Sequence, residues 1–140
     1  MTFDQVNTWY YVTNLSDLCQ TNNDGLCTIR AIVYDEASNY NLTFYNITID
    51  NTNPSIFNLH SDELDNYARS DVLLNFTVDV IDNNIDYIEF GNNTLFNMSL
   101  LSSSGPNSTW YNITTLSNLG CSSGSLCTIK AIAYDKAGNT

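Results

Sequence analysis

The sequence has few basic residues, with 4 lysines and arginines against 15 aspartates and glutamates and a net charge of −11. Phosphate binding needs clustered lysine and arginine, and an anionic membrane surface attracts the same side chains. No apolar run approaches the ~20 residues that span a bilayer, and the N-terminus shows no signal peptide. We therefore expect no nucleic-acid partner and no membrane span in this segment.

Histidine is almost absent as well, because His60 is the only one. A lone histidine cannot anchor a catalytic triad in both halves of a repetitive chain. Asp79 and Asp82 are spaced like paired carboxylates, but their neighbours are typical of a strand end and a turn. The sequence contains no convincing active site, and we predict that the chain is not an enzyme.

Asparagine is the abundant residue, at 21 of 140 positions, and serine and threonine together add 29. A polar composition of this kind occurs in disordered chains, but 43% hydrophobic and 12% aromatic residues are enough to build a core. We expect a folded protein with an unusually polar surface.

Two stretches about a hundred residues apart are nearly identical. Residues 8–18 match residues 109–119 at seven of eleven positions, and residues 26–39 match residues 126–139 at ten of fourteen. A period of ~100 residues is one whole domain rather than one solenoid repeat. The sequence therefore predicts a tandem array of domains.

The repeat also predicts where the units divide. We expect residues 1–53 to be the C-terminal part of one unit that lacks its opening strands, and residues 54–140 to be most of the next unit without its last strand. Proline restricts its own φ and the residue before it, so Pro54 is expected to make a short, stiff link between units. These boundaries predict a window on a longer polymer.

The predicted secondary structure is β throughout. Leu74, Phe76, Val78 and Val80 alternate with polar residues, which is typical of a half-buried strand. Further strands are predicted at residues 85–90, 94–100, 110–114 and 129–134, separated by turn-forming residues. About seven short strands per unit with no helix of normal length predict an all-β fold of tandem immunoglobulin-like sandwiches.

Two motifs carry a more specific resemblance. Residues 127–139 and residues 47–54 resemble the immunoglobulin-like repeats of bacterial and archaeal surface proteins. In that family the penultimate strand ends in a small residue, Asp and Ala-Gly-Asn, and the last strand ends in Val/Ile-Asp-Asn-Thr before a proline. The first half departs from this pattern, with Ser38 in place of the glycine. The resemblance implies a spacer, stalk or adhesin at a prokaryotic, and from the sequon density an archaeal, cell surface.

Four cysteines allow three pairings, and the repeat selects one of them. Pairing Cys19 with Cys27 and Cys121 with Cys127 puts one local staple in each unit, ahead of the same strand. Disulfides of this kind form and persist in an oxidising, extracellular environment. A zinc site is the rival interpretation, but it is disfavoured by the cysteine spacing and by the single histidine.

N-glycosylation sequons occur eight times, where about four are expected by chance. In one of them, Asn75-Phe76-Thr77, the phenylalanine is expected to face the core, so that Asn75 and Thr77 face water. The alternative is that asparagine and threonine are simply this surface's polar residues. We predict covalent N-glycans on these asparagines: Asn14, Asn41, Asn46, Asn75, Asn92, Asn97, Asn107 and Asn112.

Calcium is the one metal that the sequence leaves open. Asp50 lies near the junction between units, and Asp82 and Asp135 are expected near a domain end. Ca²⁺ takes six to eight oxygen ligands, but the Asp-x-Asp ladder of common calcium loops is missing. We predict no cofactor and no metal, with these three aspartates as weak calcium candidates.

The leading functional hypothesis is a structural, extracellular glycoprotein whose tandem immunoglobulin-like units form a filament or cell-surface stalk. Its partners are other copies of the repeat, in one chain or as a homopolymer. An adhesin that contacts carbohydrate through exposed aromatic rings is a second hypothesis, and an accessory module of a secreted hydrolase is a third. The aromatic candidates for the adhesin are Tyr10, Tyr11, Tyr40, Tyr45, Tyr67, Tyr87 and Trp110.

The last strand of the second unit has two predicted sources. A pilin-like neighbour can donate a strand to an open sheet edge, which is costly to leave bare. Sequential strands usually pair, however, and the first unit already continues from Asn39 into a strand-like segment. We therefore predict that residues following Thr140 in the same polypeptide, similar to residues 41–50, complete the second unit.

Overall fold

The computed structural model describes residues 2–3, 9–19, 24–63 and 67–140. The chain divides into two compact units, Met1–Asn51 and Thr52–Thr140, which are described separately below. No helix in the described part of the chain has the length and apolar character needed to cross a membrane.

The first unit is dominated by one long antiparallel hairpin. Strands β3 (Gly25–Tyr34) and β4 (Tyr40–Ile49) pair along their whole length, from Gly25 opposite Ile49 to Tyr34 opposite Tyr40. The main-chain N–H of Asn51 donates to Asp24 Oδ1 at 2.6 Å and fastens the open end of the hairpin. The same unit contains two paired strands of two residues each, β1 (Thr2–Phe3) and β2 (Trp9–Tyr10), and one short helix, α1 (Leu15–Leu18).

The described part of the second unit contains seven strands: β5 (Ser55–Ser61), β6 (Leu73–Ile81), β7 (Ile85–Gly91), β8 (Leu95–Asn97), β9 (Ser99–Ser104), β10 (Asn107–Thr115) and β11 (Lys130–Asp135). They form two antiparallel sheets, with the orders β5-β6-β10-β9 and β11-β7-β8. Strand β6 lies in the middle of its sheet and pairs with both β5 and β10, while β11 lies at one edge of the smaller sheet.

The core of the second unit lies between the inner faces of these sheets. Alternation in β6 buries Leu74, Phe76, Val78 and Val80, with 0% exposure at both valines, as the period-two pattern predicts. The other buried members of this cluster come from both sheets and the loops between them: Ile88, Phe90, Met98, Trp110, Leu119 and Ala133. The prediction of an all-β protein with almost no helix is confirmed.

One predicted strand is wrong. Residues 94–100 do not form a single strand, because β8 pairs with β7 in one sheet and β9 pairs with β10 in the other. The chain crosses between the sheets at Met98, whose side chain is 5% exposed in the core and whose N–H donates to Ile88 O at 2.8 Å. Burying Met98 between the layers is the physical reason for the break.

Candidate functional site

The cysteines form one local disulfide in each unit. Cys19 is bonded to Cys27 and Cys121 to Cys127, which is the pairing that the repeat predicts, and no described cysteine is free. Closing such short loops stabilises a fold by about 2–3 kcal/mol, mainly by restricting the unfolded chain. The staples are therefore structural elements at equivalent places in the two units.

The surroundings of the two staples differ in one respect. Cys27 lies inside β3 and opposite Ile47 of β4, whereas Cys127 precedes β11 by three residues. Gly25 to Ile29 are strand residues because β4 pairs with them. The corresponding residues 125–129 are not strand, and no partner strand lies against them in the described part of the second unit.

The loop that follows each of these strands has the same hydrogen-bond pattern in both units. Asp35 accepts from the main-chain N–H of Asn39 at 2.8 Å and from the Asn39 side-chain amide at 2.8 Å. Asp135 accepts from the corresponding two groups of Asn139 at 2.9 Å and 2.7 Å, and from the N–H of Ala137 at 2.8 Å. The aspartate and the asparagine together fix the five-residue turn.

The tip of this turn requires a left-handed backbone. Gly138 has a φ of 90°, and Ser38 at the same place in the first unit has a φ of 67°. Glycine reaches this region without strain, whereas a side chain at such a φ costs about 1–2 kcal/mol. The serine at position 38, where the second unit has Gly138, therefore leaves the turn intact and introduces local strain.

These hydrogen bonds also determine the acidity of the two aspartates. The Asn39 side-chain amide, followed by the Asn39 main-chain N–H, lowers the pKa of Asp35. Burial is the largest single influence on Asp135 and raises its pKa, but the bonds from Asn139, Ala137 and Gly138 together outweigh it and leave the pKa lowered. Both carboxyls are therefore held in the charged form by the loop.

The eight sequon asparagines fall into two groups by exposure. Asn92 and Asn112 are half-buried, and each donates from Nδ2, the atom that would carry a glycan: Asn92 to Cys127 Sγ at 3.7 Å, and Asn112 to Asn97 O at 2.9 Å. Asn46, by contrast, is exposed, and its Oδ1 accepts from the Thr28 hydroxyl at 2.8 Å. The exposed group is Asn14, Asn41, Asn46, Asn97 and Asn107.

Asn75 is less exposed than the alternation argument predicts. It does lie on the face of β6 opposite Phe76, but it is half-buried, and its Oδ1 is buried without a hydrogen-bond partner among the described residues. The reason is that β6 is flanked by strands on both sides and that Asp62, beyond β5, exchanges hydrogen bonds with the Asn75 main chain. The expectation that Asn75 simply faces water is corrected accordingly.

His60 and Asp79 have structural partners. The Nδ1 of His60 lies 2.7 Å from Asn58 O and therefore donates to it, while Nε2 lies 3.0 Å from the Thr77 hydroxyl. Hydrogen bonds from Asn58 at 3.1 Å and Thr109 at 2.8 Å lower the pKa of Asp79. These contacts connect neighbouring strands of one sheet.

Two of the three weak calcium candidates accept hydrogen bonds within their own turns. Asp82 accepts from the N–H of Asn84, and the Asp135 oxygens are engaged within their loop. Asp50 directly follows β4 in the first unit. Among the described residues, no three histidine, cysteine, aspartate or glutamate side chains gather in a way that could hold a metal ion.

The aromatic candidates for carbohydrate contact differ in their exposure to solvent. Trp110 is wrong as a surface candidate, because it is 8% exposed in the core and donates from Nε1 to Ser108 Oγ at 2.9 Å. The side chain of Tyr10 lies outside the described residues. The other five candidates are exposed: Tyr11, Tyr40, Tyr45, Tyr67 and Tyr87.

Sequence reasoning missed one aromatic arrangement. Tyr87 of β7 and Tyr134 of β11 stack with ring centroids 4.5 Å apart and planes at 12°. The Tyr134 hydroxyl donates to Glu89 at 3.2 Å, and burial followed by this bond raises the pKa of Tyr134. Strand alternation in the sequence predicts that Tyr134 lies on the face of its strand opposite Ala133. The sequence does not reveal the register that places Tyr87 opposite Tyr134.

No family model matches this chain, and neither a curated protein nor a solved structure matches it significantly.

Proposed function

We propose that this chain is part of an extracellular structural glycoprotein whose tandem immunoglobulin-like units form a filament or a cell-surface stalk. The observation that carries the proposal is the repetition of one disulfide staple and one Asp–Asn turn in both units. A catalytic or ligand-binding site has no need to recur in this way. The same disulfide and the same turn, repeated at a spacing of one domain, are expected in a protein built from many copies of one domain.

The strand order supports the immunoglobulin-like part of the proposal. Strands β5, β6, β10 and β9 have the order of strands A, B, E and D in one sheet of an immunoglobulin sandwich. In β11-β7-β8, β11 lies beside β7 as strand F lies beside strand C in the opposing sheet, and β8 takes the place of the additional strand C′ of variable-type domains. A strand equivalent to β4 would supply the last strand, G.

The surface chemistry supports an extracellular place. Two disulfides favour an oxidising compartment. Five sequon asparagines are exposed, and a net charge of −11 keeps neighbouring surfaces soluble. Glycans and negative charge would together coat a filament without defining one recognition site.

Mass spectrometry of material purified from its natural source tests this proposal. The denatured, reduced and deglycosylated chain should be many times heavier than the 15.7 kDa of these 140 residues, and its sequence should contain further copies of the Trp-Tyr, Cys and Tyr-Asp pattern. A catalytic domain joined to one or two such units would instead favour the accessory-module hypothesis. A chain near 15.7 kDa would argue for separate subunits joined by strand donation.

A carbohydrate-binding adhesin is the second candidate, because paired aromatic rings lie at the surface of the first unit. Tyr34 and Tyr40 face each other across the hairpin with ring centroids 5.9 Å apart, and they are 64% and 66% exposed. Such rings can stack on sugars, but they also serve packing between strands. A glycan-array screen with this chain would remove the adhesin hypothesis if no sugar bound.

A further inference from the structure

The outer face of the larger sheet in the second unit contains a cleft of about 310 Å³. Its lining includes one residue from each strand of that sheet, and these lie in a single row: Phe57 of β5, Asp79 of β6, Thr109 of β10 and Ser102 of β9. Side chains alternate along β6, and Val78 lies in the core, so Asp79 lies on the opposite, outer face. Pockets that bind small molecules have volumes of about 300–1,000 Å³, and this cleft is at the small end of that range.

A sequon asparagine lies at the rim of this cleft. Asn107 comes two residues before Thr109 in β10, so its side chain lies on the same face of the sheet, and it lines the cleft. It is exposed and lies opposite Ser104 of β9. Its backbone is anchored, because the N–H of Asp82 donates to the main-chain oxygen of the preceding residue, Pro106, at 2.8 Å. A sugar joined to Asn107 therefore begins beside the cleft, at a fixed point of the sheet.

The ring of Phe57 is the apolar wall of the cleft. It is 40% exposed, although a phenylalanine side chain is stabilised by burial. Neighbouring strands lie about 4.8 Å apart, so Phe57 lies roughly 10 Å across the sheet from Thr109, within reach of the innermost sugars of a glycan on Asn107. The negative face of an aromatic ring attracts the C–H groups of a pyranose, and covering the ring removes apolar area from water.

The polar groups of the cleft are complementary to sugar hydroxyls. Asn58 donates to Asp79 Oδ2 at 3.1 Å and Thr109 donates to Oδ1 at 2.8 Å, and these two bonds orient the carboxylate and lower the pKa of Asp79. An ionised carboxylate has about four acceptor positions, so it can also accept from sugar hydroxyls. The hydroxyls of Ser102 and Ser104 can donate as well as accept. A charged Asp79 repels an acidic sugar, and the cleft therefore favours a neutral one.

We propose that this cleft is the binding site for the N-glycan on Asn107, whose innermost sugars are neutral pyranoses that pack on Phe57 and donate hydrogen bonds to Asp79. The glycan then forms part of the outer layer of the sheet, because it covers an exposed ring and connects β10 with β6 and β5. This inference rests on the proposed N-glycosylation, since it requires a sugar on Asn107.

Nuclear magnetic resonance of the glycosylated chain tests the contact directly. The whole chain is secreted, with isotope-labelled sugars, from a eukaryotic host whose N-glycans begin with neutral N-acetylglucosamine, and the fraction glycosylated at Asn107 is selected by mass. Sugar C–H signals should be shifted upfield by the ring of Phe57 and should show nuclear Overhauser contacts to it. Both signatures should be lost in Phe57→Ala and kept in Phe57→Tyr. Unshifted sugar signals without contacts to the ring would overturn the proposal.

A double-mutant cycle separates the binding site from the general effects of a glycan. Asn107→Gln should raise the equilibrium constant for unfolding of the second unit about fivefold while Phe57 is present, as expected for losing about 1 kcal/mol. The same change should have no effect in the Phe57→Ala background. Asn97→Gln is the matched control, because Asn97 is an exposed sequon asparagine of the same unit and does not line the cleft. Equal coupling of Asn97 and Asn107 to Phe57 would contradict a binding site at this cleft.

The remaining outcomes separate this proposal from the others. If the unglycosylated chain binds free glycans through Phe57 while the Asn107 sugar makes no contact with the ring, the cleft is an adhesin site and the proposal fails. If the native protein is a long repetitive chain with no sugar on Asn107, the glycan site fails and the tandem array stands. If the Asn107 sugar packs on Phe57 but the native protein is not repetitive, the glycan site stands and the array fails.

Discussion

Asn139 donates two hydrogen bonds to the carboxylate of Asp135, one from its main chain at 2.9 Å and one from its side chain at 2.7 Å. Replacing Asp135 with asparagine removes the charge and one acceptor oxygen from a site that is 3% exposed. We expect the free energy of unfolding of the second unit to fall by about 2 kcal/mol. Urea denaturation measures the change, with Asp86→Asn, an exposed position in β7, as the control that should stay within about 0.5 kcal/mol.

Acid should destabilise the fold in a defined range of pH. The pKa values of Asp35, Asp79 and Asp135 all lie below the ordinary 3.8. A carboxyl whose pKa is lower in the folded state stabilises it above the unfolded pKa, and that contribution is lost as pH falls from 3.8 through the folded pKa. The urea midpoint should therefore hold between about pH 7 and pH 5 and fall toward about pH 2.5. Asp135→Asn should make this fall shallower, and equal midpoints at both extremes would show that these bonds do not favour the charged forms.

The residues at the tips of the two repeated turns, Ser38 and Gly138, can be exchanged to test the strain of the left-handed backbone. Ser38→Gly should stabilise the first unit by about 0.5–1 kcal/mol, because glycine relieves a left-handed backbone at some cost in unfolded-state entropy. Gly138→Ser should destabilise the second unit by about 1 kcal/mol through backbone strain alone, since a Cβ at Gly138 would meet no atom within 4 Å. Amide hydrogen exchange resolves the two units, and changes of the same sign in both variants would refute the strain argument.

Sequon occupancy should follow the environment of each amide nitrogen. Glycopeptide mass spectrometry of native material should find sugar on the exposed asparagines and little on Asn75, Asn92 or Asn112. The reason is that Asn92 and Asn112 use Nδ2 in hydrogen bonds and that Asn75 is partly covered. Enzymatic deglycosylation in heavy-oxygen water supplies the control, because it marks each formerly occupied asparagine. High occupancy at Asn112 together with bare Asn97 and Asn107 would contradict this prediction.

The local patterns were readable from sequence because they depend on short-range periodicity and on the repeat. Alternation in β6 identifies its buried side chains, since a strand turns successive residues to opposite faces. The disulfide pairing follows from the repeat, because only one pairing gives both units the same staple.

The features that sequence reasoning missed depend on pairing between distant strands. The crossing at Met98 interrupts a run that looks like one strand, because only the surrounding sheets determine where the chain changes layers. Asn112 lies two residues after the buried Trp110 in the same strand, so strand alternation predicts that both side chains lie on the same face of the sheet. Its sequon motif led instead to the prediction of an exposed, glycosylated asparagine. The stack of Tyr87 on Tyr134 needed the register of β7 with β11.

Electron cryomicroscopy of the native material tests the central claim most directly. A tandem array of sandwiches should appear as filaments or stalks with an axial repeat of one domain, about 40 Å for strands that rise 3.3 Å per residue. Density for sugar should project from the outer faces of the units. Compact, isolated particles without an axial repeat would contradict the account.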